Sequence, residues 1–399
     1  MAPDRRSRRL LAITCGALVL ANANASTATT ATTVADSSRP TPEAAFAANR
    51  LVEQFGPTSG EQTDILGTAA WHDAGFDGDG ITVGVIDFFD VPSFWDEAEH
   101  GPTPVAGRSA ACYRFGADCT DDFFDGIDLG GEDHGVAVVE TILDVAPGVS
   151  IVVAQATTIS DYRLVLDFFE MHDVAIISRS LGSRYDGPGD GRGPLDDLVA
   201  EAADRGMLWV NSAGNNARDS YYRHPVRIDG DLVAFGPSGT DTFLDLAGCI
   251  AIGGVRWADD WDLPAAQRTD YDVTLWESPT GDPAAGTVIE RAQRRQRFGA
   301  SPLESISTSR CPAPGFSFYL QVELVAGRAD GDVLEILDYS SGIAEYTSAA
   351  GSAAVPIVDS DSPGVVAVGS IDPAASGRIA DYSSRGPSAD GRVLPDLVA

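Results

Sequence analysis

No lysine occurs in the 399 residues: all 27 basic residues are arginine, against 59 Asp and Glu, for a formal net charge of −32. So large an acidic excess repels nucleic-acid phosphates and anionic lipids, which argues against both as partners. It suits solubility at high ionic strength, where repulsion between carboxylates is screened; the alternative is genome composition, since a bias of Arg over Lys arises without any selective physics. Long apolar runs are also missing. The most extended, Leu10 to Leu20 (LLAITCGALVL), is too short to span a bilayer comfortably, so no membrane-spanning segment is expected in the mature chain. Cysteine is scarce, with five in all and no C-x-x-C or close Cys/His cluster, which argues against a metal site built on them.

What is present begins with the first residues. Arg5, Arg6, Arg8 and Arg9 precede the apolar stretch, and Ala23-Asn24-Ala25 offers a small-residue cleavage site. This is the pattern of a secretory signal peptide over residues 1–25, and Ser7-Arg8-Arg9 loosely fits twin-arginine export. A secreted, extracellular protein is the expectation. Cys15 would leave with the signal, and the even number remaining, Cys112, Cys119, Cys249 and Cys311, points to disulfides in an oxidising compartment. Cys112–Cys119 would close a short loop and Cys249–Cys311 would staple a later segment, but all three pairings stay open at this stage.

Residues 26–60 read as a Ser/Thr/Ala linker or short pro-region, with a candidate helix from Pro42 to Phe55. From residue 61 to 224 apolar strands alternate with helical patterns. The strands are Ile81–Ile86, Ser150–Ala154, Val174–Ile177 and Met207–Val210; the helices are Asp161–Met171 and Leu195–Arg205, the latter stopped by Gly206. Near-continuous Val/Ile runs are those of strands buried on both faces, so the fold class is α/β with a parallel sheet flanked by helices. Residues 225–345 break that rhythm. Short alternating runs such as Asp272–Trp276 and Phe316–Leu324, separated by turn-rich pieces, predict an all-β, sandwich-like insert. The parallel-sheet pattern resumes over 346–399, with Gly364–Gly369 as its strand.

In an open parallel sheet, functional groups collect beyond the carboxyl ends of the strands. Asp87 directly follows Ile86; Ser180-Leu181-Gly182 follows the strand containing Ile177; Ala213-Gly214-Asn215 follows the strand ending near Val210. His134, in Asp133-His134-Gly135, opens a segment whose Val138, Val139, Ile142 and Leu143 fall at helical spacing. Taken singly these are turn formers and caps. Their order is what carries information. Gly80–Asp87 resembles the strand of subtilisin-like serine proteases (subtilases) that ends in the triad aspartate. Asp133-His134-Gly135 is similar to that family's histidine segment, Ile177–Gly182 to its substrate-binding strand, and Ala213-Gly214-Asn215 to the segment with its oxyanion-hole asparagine. Tyr382-Ser383-Ser384-Arg385-Gly386-Pro387, with Asp390-Gly391-Arg392 and Leu394–Ala399, resembles the run upstream of its nucleophile.

The resemblance implies an endopeptidase with Asp87, His134 and Asn215 as catalytic residues. Ser180, Leu181, Gly182 and Gly214 would hold a polypeptide substrate. The implied mechanism requires no cofactor. Phe88-Phe89 and Val136 depart from the small residue, Gly and Thr that the family commonly has there. No Gly-Thr-Ser-x-Ala nucleophile motif occurs, so the chain is expected to stop before its serine and to be inactive by itself. The insert, through Val255–Trp261 and Thr269–Trp276, resembles β-sandwich modules found inside some bacterial subtilases. Its Asp259, Asp260, Asp270 and Asp272 could bind a structural calcium, or be solvated turn acids. A catalytically inactive subtilase-like protein that binds peptides or surfaces is the alternative reading, and an adhesion module on an α/β scaffold a third.

Overall fold

The computed structural model describes residues 66–88, 111–114, 117–118, 134–257, 261–340, 342–372 and 377–399. The expected signal peptide, linker and helix from Pro42 to Phe55, and Asp133, Cys119, Asp259 and Asp260, lie outside the described residues. The chain divides into two units: one takes in the described residues up to Arg223 and then Thr347–Ala399, the other His224–Tyr346.

The first unit is built on eight strands. In chain order its elements are α1 (Thr68–Asp73), β1 (Thr82–Ile86), β2 (Ala111–Arg114), β3 (Ala117–Asp118), α2 (His134–Val145), β4 (Ser150–Gln155), α3 (Ile159–Met171), β5 (Val174–Arg179), α4 (Pro194–Asp204) and β6 (Leu208–Ser212). Two late strands, Val365–Gly369 and Leu397–Val398, complete the sheet, whose order is Leu397–Val398, Val365–Gly369, β6, β5, β1, β4, β2, β3. Every pairing is parallel except the β2–β3 hairpin.

Both faces of this sheet are covered, which explains the apolar runs. Val83 and Val85 of β1 pack with Val139 and Leu143 of α2, and with Ile151 and Val153 of β4. Alternate residues turn to the other face, where Ile86, Val152, Ile177 and Trp209 meet Val165, Phe169, Leu198 and Val199 of α3 and α4. Gly84 is required on that face, because a Cβ there would come within 2.6 Å of the Phe169 ring. Helix α3 starts on a reciprocal cap: Thr158 Oγ1 accepts from Asp161 N at 3.2 Å, and Asp161 Oδ2 accepts from Thr158 N at 2.9 Å.

Strand β1 lies between β4 and β5, so the chain lays β4 on one side of it and then crosses to the other. In sheets with such a reversal, ligands usually bind beyond the carboxyl ends of the strands that flank it. Register sets what lies there. Ile86 pairs with Arg179, and Arg179 with Asn211, so the residues that follow emerge together at one sheet edge. Here β5 runs to Arg179, two residues beyond the apolar stretch that marks it in the sequence.

In the second unit the strands are antiparallel. One sheet centres on Asp270–Pro279 paired with Phe316–Ala326, and another on Ile250–Trp257 paired with Val333–Asp338. Trp257 and Tyr271 meet edge to face across them, with ring centroids 5.1 Å apart. Pairing of Ile250 with Arg310 brings the preceding and following cysteines opposite each other, and Cys249 and Cys311 are disulfide-bonded. Asp270 and Asp272 are not solvated turn acids. They lie within a strand, 3% and 6% exposed, and Asp272 Oδ2 accepts from Gln293 Nε2 at 2.7 Å. Among the described residues no group of three or more His, Cys, Asp or Glu side chains could hold a metal ion.

Glu304 is fully buried; its Oε1 accepts from Arg294 N at 2.7 Å and Gln296 Nε2 at 2.8 Å, while Oε2 has no partner among the described residues. Burial pushes this carboxyl up to about 7, against which the two hydrogen bonds work. A raised carboxyl binds its proton more tightly folded than unfolded. Its contribution is therefore complete below pH 4.5, the ordinary value, and is lost as pH rises toward about 7. In denaturant titrations across that window, Glu304→Gln is expected to flatten the decline of stability with pH by up to about 3 kcal/mol relative to the parent. The disulfide closes a separation of 62 residues, and replacing both Cys249 and Cys311 with Ser should cost about 2–5 kcal/mol in the same titration.

Candidate active site

Asp87 is the first residue past β1 and is 1% exposed. Its own backbone N–H donates to the Ala154 carbonyl at 3.1 Å, so the sheet fixes its main chain. Its Oδ1 accepts from Phe88 N at 2.8 Å and lies 2.7 Å from His134 Nδ1. Asp87 Oδ2 is buried without a partner among the described residues. The two residues are 47 apart in sequence and are joined a second time, because Gly135 N donates to the Phe88 carbonyl at 2.9 Å. That bond engages one of the free N–H groups of the first turn of α2 and fixes where His134 starts the helix. Phe88, one of the departures from the family pattern, is itself buried and supplies this carbonyl.

A carboxylate can only accept, so the His134 nitrogen facing it, Nδ1, is the one that carries a proton. The His134 side chain is 12% exposed. Such a pair can take a proton at Nε2 and have the resulting imidazolium stabilised by the carboxylate behind it.

Asn215 stands in the turn after β6. Gly214 has φ +95°, and a Cβ on it would come within 2.8 Å of Asn216 Nδ2 and 3.1 Å of Ser384 Oγ, so glycine is needed there. This turn is stitched to the Tyr382–Ser384 run. Ser384 N donates to the Gly214 carbonyl at 2.8 Å, Asn216 N to Ser384 Oγ at 2.9 Å and Ala217 N to the Tyr382 carbonyl at 3.0 Å. Ser384 is thus a clamp on the Asn215 turn. The Asn215 side chain is half-buried and makes no hydrogen bond among the described residues, which leaves its amide available as a donor.

Ser180, Leu181 and Gly182 continue from β5 at the same edge; Ser180 is half-buried, Leu181 buried and Gly182 exposed. Contact therefore joins Asp87 to His134, while register of one sheet places Ser180–Gly182 and the Gly214-Asn215 turn along the same edge. Two participants escape sequence inspection. Ser384 binds a partner 168 residues away. Arg179 donates to the Leu181 and Gly182 carbonyls, and the signal for it was present: a charge closing the otherwise apolar run Val-Ala-Ile-Ile-Ser-Arg.

The Asp87–His134 bond predicts a hydrogen-bonded imidazole N–H resonance at low field in the proton spectrum, slow to exchange because Asp87 is buried. It should vanish in both Asp87→Ala and His134→Ala, while amide signals from β4 and β5 stay in place.

No family model and no curated protein matches this chain. Among solved structures it is similar to the CspB protease of Clostridium perfringens, with a TM-score of 0.47 and 15% identity over 83% of this chain and 78% of that one. The PatG macrocyclase in complex with peptide matches with a TM-score of 0.24 and 13% identity, over 39% of this chain and 58% of that one. The patellamide maturation protease PatG gives a TM-score of 0.24 and 12% identity, over 39% and 57% respectively.

Proposed function

We propose that this chain carries the acid–base half of a serine-type endopeptidase of the subtilisin-like kind, acting on polypeptides outside the cell. The observation that carries this reading is the buried Asp87–His134 pair, 2.7 Å apart at the carboxyl end of a central parallel strand. A serine contributed by sequence outside residues 1–399 completes the triad, since none of these residues supplies a Gly-Thr-Ser-x-Ala segment.

In this mechanism His134 Nε2 takes the hydroxyl proton as the serine oxygen attacks the scissile carbonyl, and returns it to the leaving amine. Asp87 holds the Nδ1–H tautomer and stabilises the imidazolium between those two transfers. Asn215 donates its side-chain N–H to the oxyanion, a contribution of about 3 kcal/mol in comparable sites. Main-chain groups of Ser180–Gly182 pair with the extended substrate as an added strand, beside Gly214. None of these steps needs a cofactor.

Support for export comes from the Cys249–Cys311 disulfide, a bond that persists in oxidising compartments. The alternative, an inactive protein that uses the same edge to bind peptides, is favoured by the missing nucleophile motif.

The encoding DNA past codon 399 separates the two: a frame running into Gly-Thr-Ser-x-Ala supports the protease, and an immediate stop codon supports the binding protein. The serine-containing protein is expected to cleave casein and to be blocked by a fluorophosphonate. His134→Ala should lower kcat/KM on the order of 10⁴-fold or more, and Asn215→Ala should lower kcat by about 10²–10³-fold with little change in KM. Undiminished cleavage by His134→Ala would sink the mechanism.

A further inference from the structure

Arg179 is a charge where the packing calls for an apolar residue. It lies on the α3–α4 face of the sheet, in line with Ile177, and is 3% exposed. Among the described residues no carboxylate pairs with it; its donors are instead all engaged by neutral acceptors. Nε donates to Tyr162 Oη at 3.0 Å, with the guanidinium carbon 5.7 Å from the centre of that ring. Nη1 donates to the Leu181 carbonyl at 2.7 Å and to Asn211 Oδ1 at 3.2 Å. Nη2 donates to the Gly182 carbonyl and to Ser183 Oγ, each at 3.0 Å.

An unpaired buried cation is a poor choice for stability, and an apolar side chain of similar length is often the more stable occupant. What the guanidinium does that no apolar side chain can is fix three carbonyl or amide oxygens at once. Two are the main-chain carbonyls of Leu181 and Gly182, within the segment read above as substrate-binding. The third belongs to Asn211 on β6, the strand that leads into the Asn215 turn. Each carbonyl has a second lone pair, and Gly182 is exposed, so fixing it from the core side leaves it able to accept from a peptide.

We propose that Arg179 is a positioning residue, a rigid fork that pre-orders Ser180–Gly182 from beneath and ties this segment to the strand carrying the oxyanion turn. The peptide then meets main-chain acceptors already aimed, without the cost of ordering a loop on binding. The role in peptide recognition rests on the reading of Ser180–Gly182 as the substrate strand; the clamp itself does not.

The test uses the full chain with Arg179→Met and Arg179→Lys, and needs no turnover. Amide hydrogen exchange is read at Leu181–Ser183, and affinity by anisotropy with a fluorescein-labelled Ala-Ala-Ala-Phe peptide and its backbone N-methylated form. Arg179→Met is expected to speed exchange at Leu181–Ser183 by about tenfold or more while Val174–Ser178 stays protected. It should weaken the unmodified peptide by about tenfold and leave the already weak N-methylated peptide unchanged. A merely structural loss would weaken both peptides alike. Arg179→Lys, which lacks the planar fork, should restore neither property fully. Should Arg179→Met fail to fold, Tyr162→Phe removes the Nε acceptor alone and is expected to give the same pattern at roughly threefold. Unchanged exchange at Leu181–Ser183 would overturn the clamp. Faster exchange with unchanged peptide affinity would overturn the role in recognition, and absence of peptide binding by the parent protein would overturn the substrate reading of the strand.

Discussion

A parallel sheet covered on both faces admits almost no polar group between its ends, and the rest of the first unit follows from that constraint. Side chains within β1, β4, β5 and β6 must be apolar or small, as Val83, Gly84, Val85, Val152 and Ile177 are. Polar chemistry is driven to the strand termini, where water and loops can satisfy it. Because Ile86, Arg179 and Asn211 stand in one register row, the termini fall at one level. The polar residues next to that row, Asp87 and Ser180, and the turn after Asn211 are thus neighbours through main-chain hydrogen bonding alone. Side chains add the fine geometry afterwards.

Two charges of opposite sign close adjacent strands, Asp87 after β1 and Arg179 at the end of β5, and each is nearly inaccessible. They are compensated in different ways. Asp87 uses one oxygen for a main-chain N–H and an imidazole, so its hydrogen bonding is directed at a titratable group. Arg179 turns every donor on neutral oxygens, so its hydrogen bonding is directed at shape. One group can alter a proton's position; the other can only hold oxygens still. In a chain with a net charge of −32, a buried cation with no carboxylate partner among the described residues marks a place where geometry outweighs charge balance.

The strands were legible because a doubly covered strand leaves an unmistakable apolar run, and the helices by apolar residues at helical spacing, although they start at Ile159 and Pro194 rather than at Asp161 and Leu195. Strand ends were less so. The apolar run of β5 stops at Ile177, yet pairing continues to Arg179, since a charge can occupy a strand when five acceptors surround it; the charge shows in the sequence, but its acceptors on Tyr162 and Asn211 do not. Asp87 and His134 stood out by position, but the bond between them depends on the Phe88 carbonyl holding Gly135, a backbone interaction with no sequence signature. Ser384 was placed in a motif and given no task; its task involves Asn216, 168 residues away. The cysteine pairing needed the Ile250–Arg310 register. Asp270 and Asp272 misled, because acids between turn-rich segments look solvated until alternate positions of one strand are seen to be buried.

The strongest reason to read Asp87 and His134 as functional is that stability alone does not explain them. A carboxyl group 1% exposed, with Oδ2 unmatched among the described residues, is a costly group to bury. The same space could be filled by an apolar side chain continuing β1, with α2 docking through Val139 and Leu143 as it already does. Local violations of good packing that persist are expected where a site needs them. Here the violation is directional as well. The carboxylate faces Nδ1, the orientation that the proposed base role of His134 requires and a structural cap would not. The clamp on Ser180–Gly182 and the stitched turn at Asn215 repeat that bias at the same sheet edge, each using buried polar groups to fix acceptors or donors rather than to add stability.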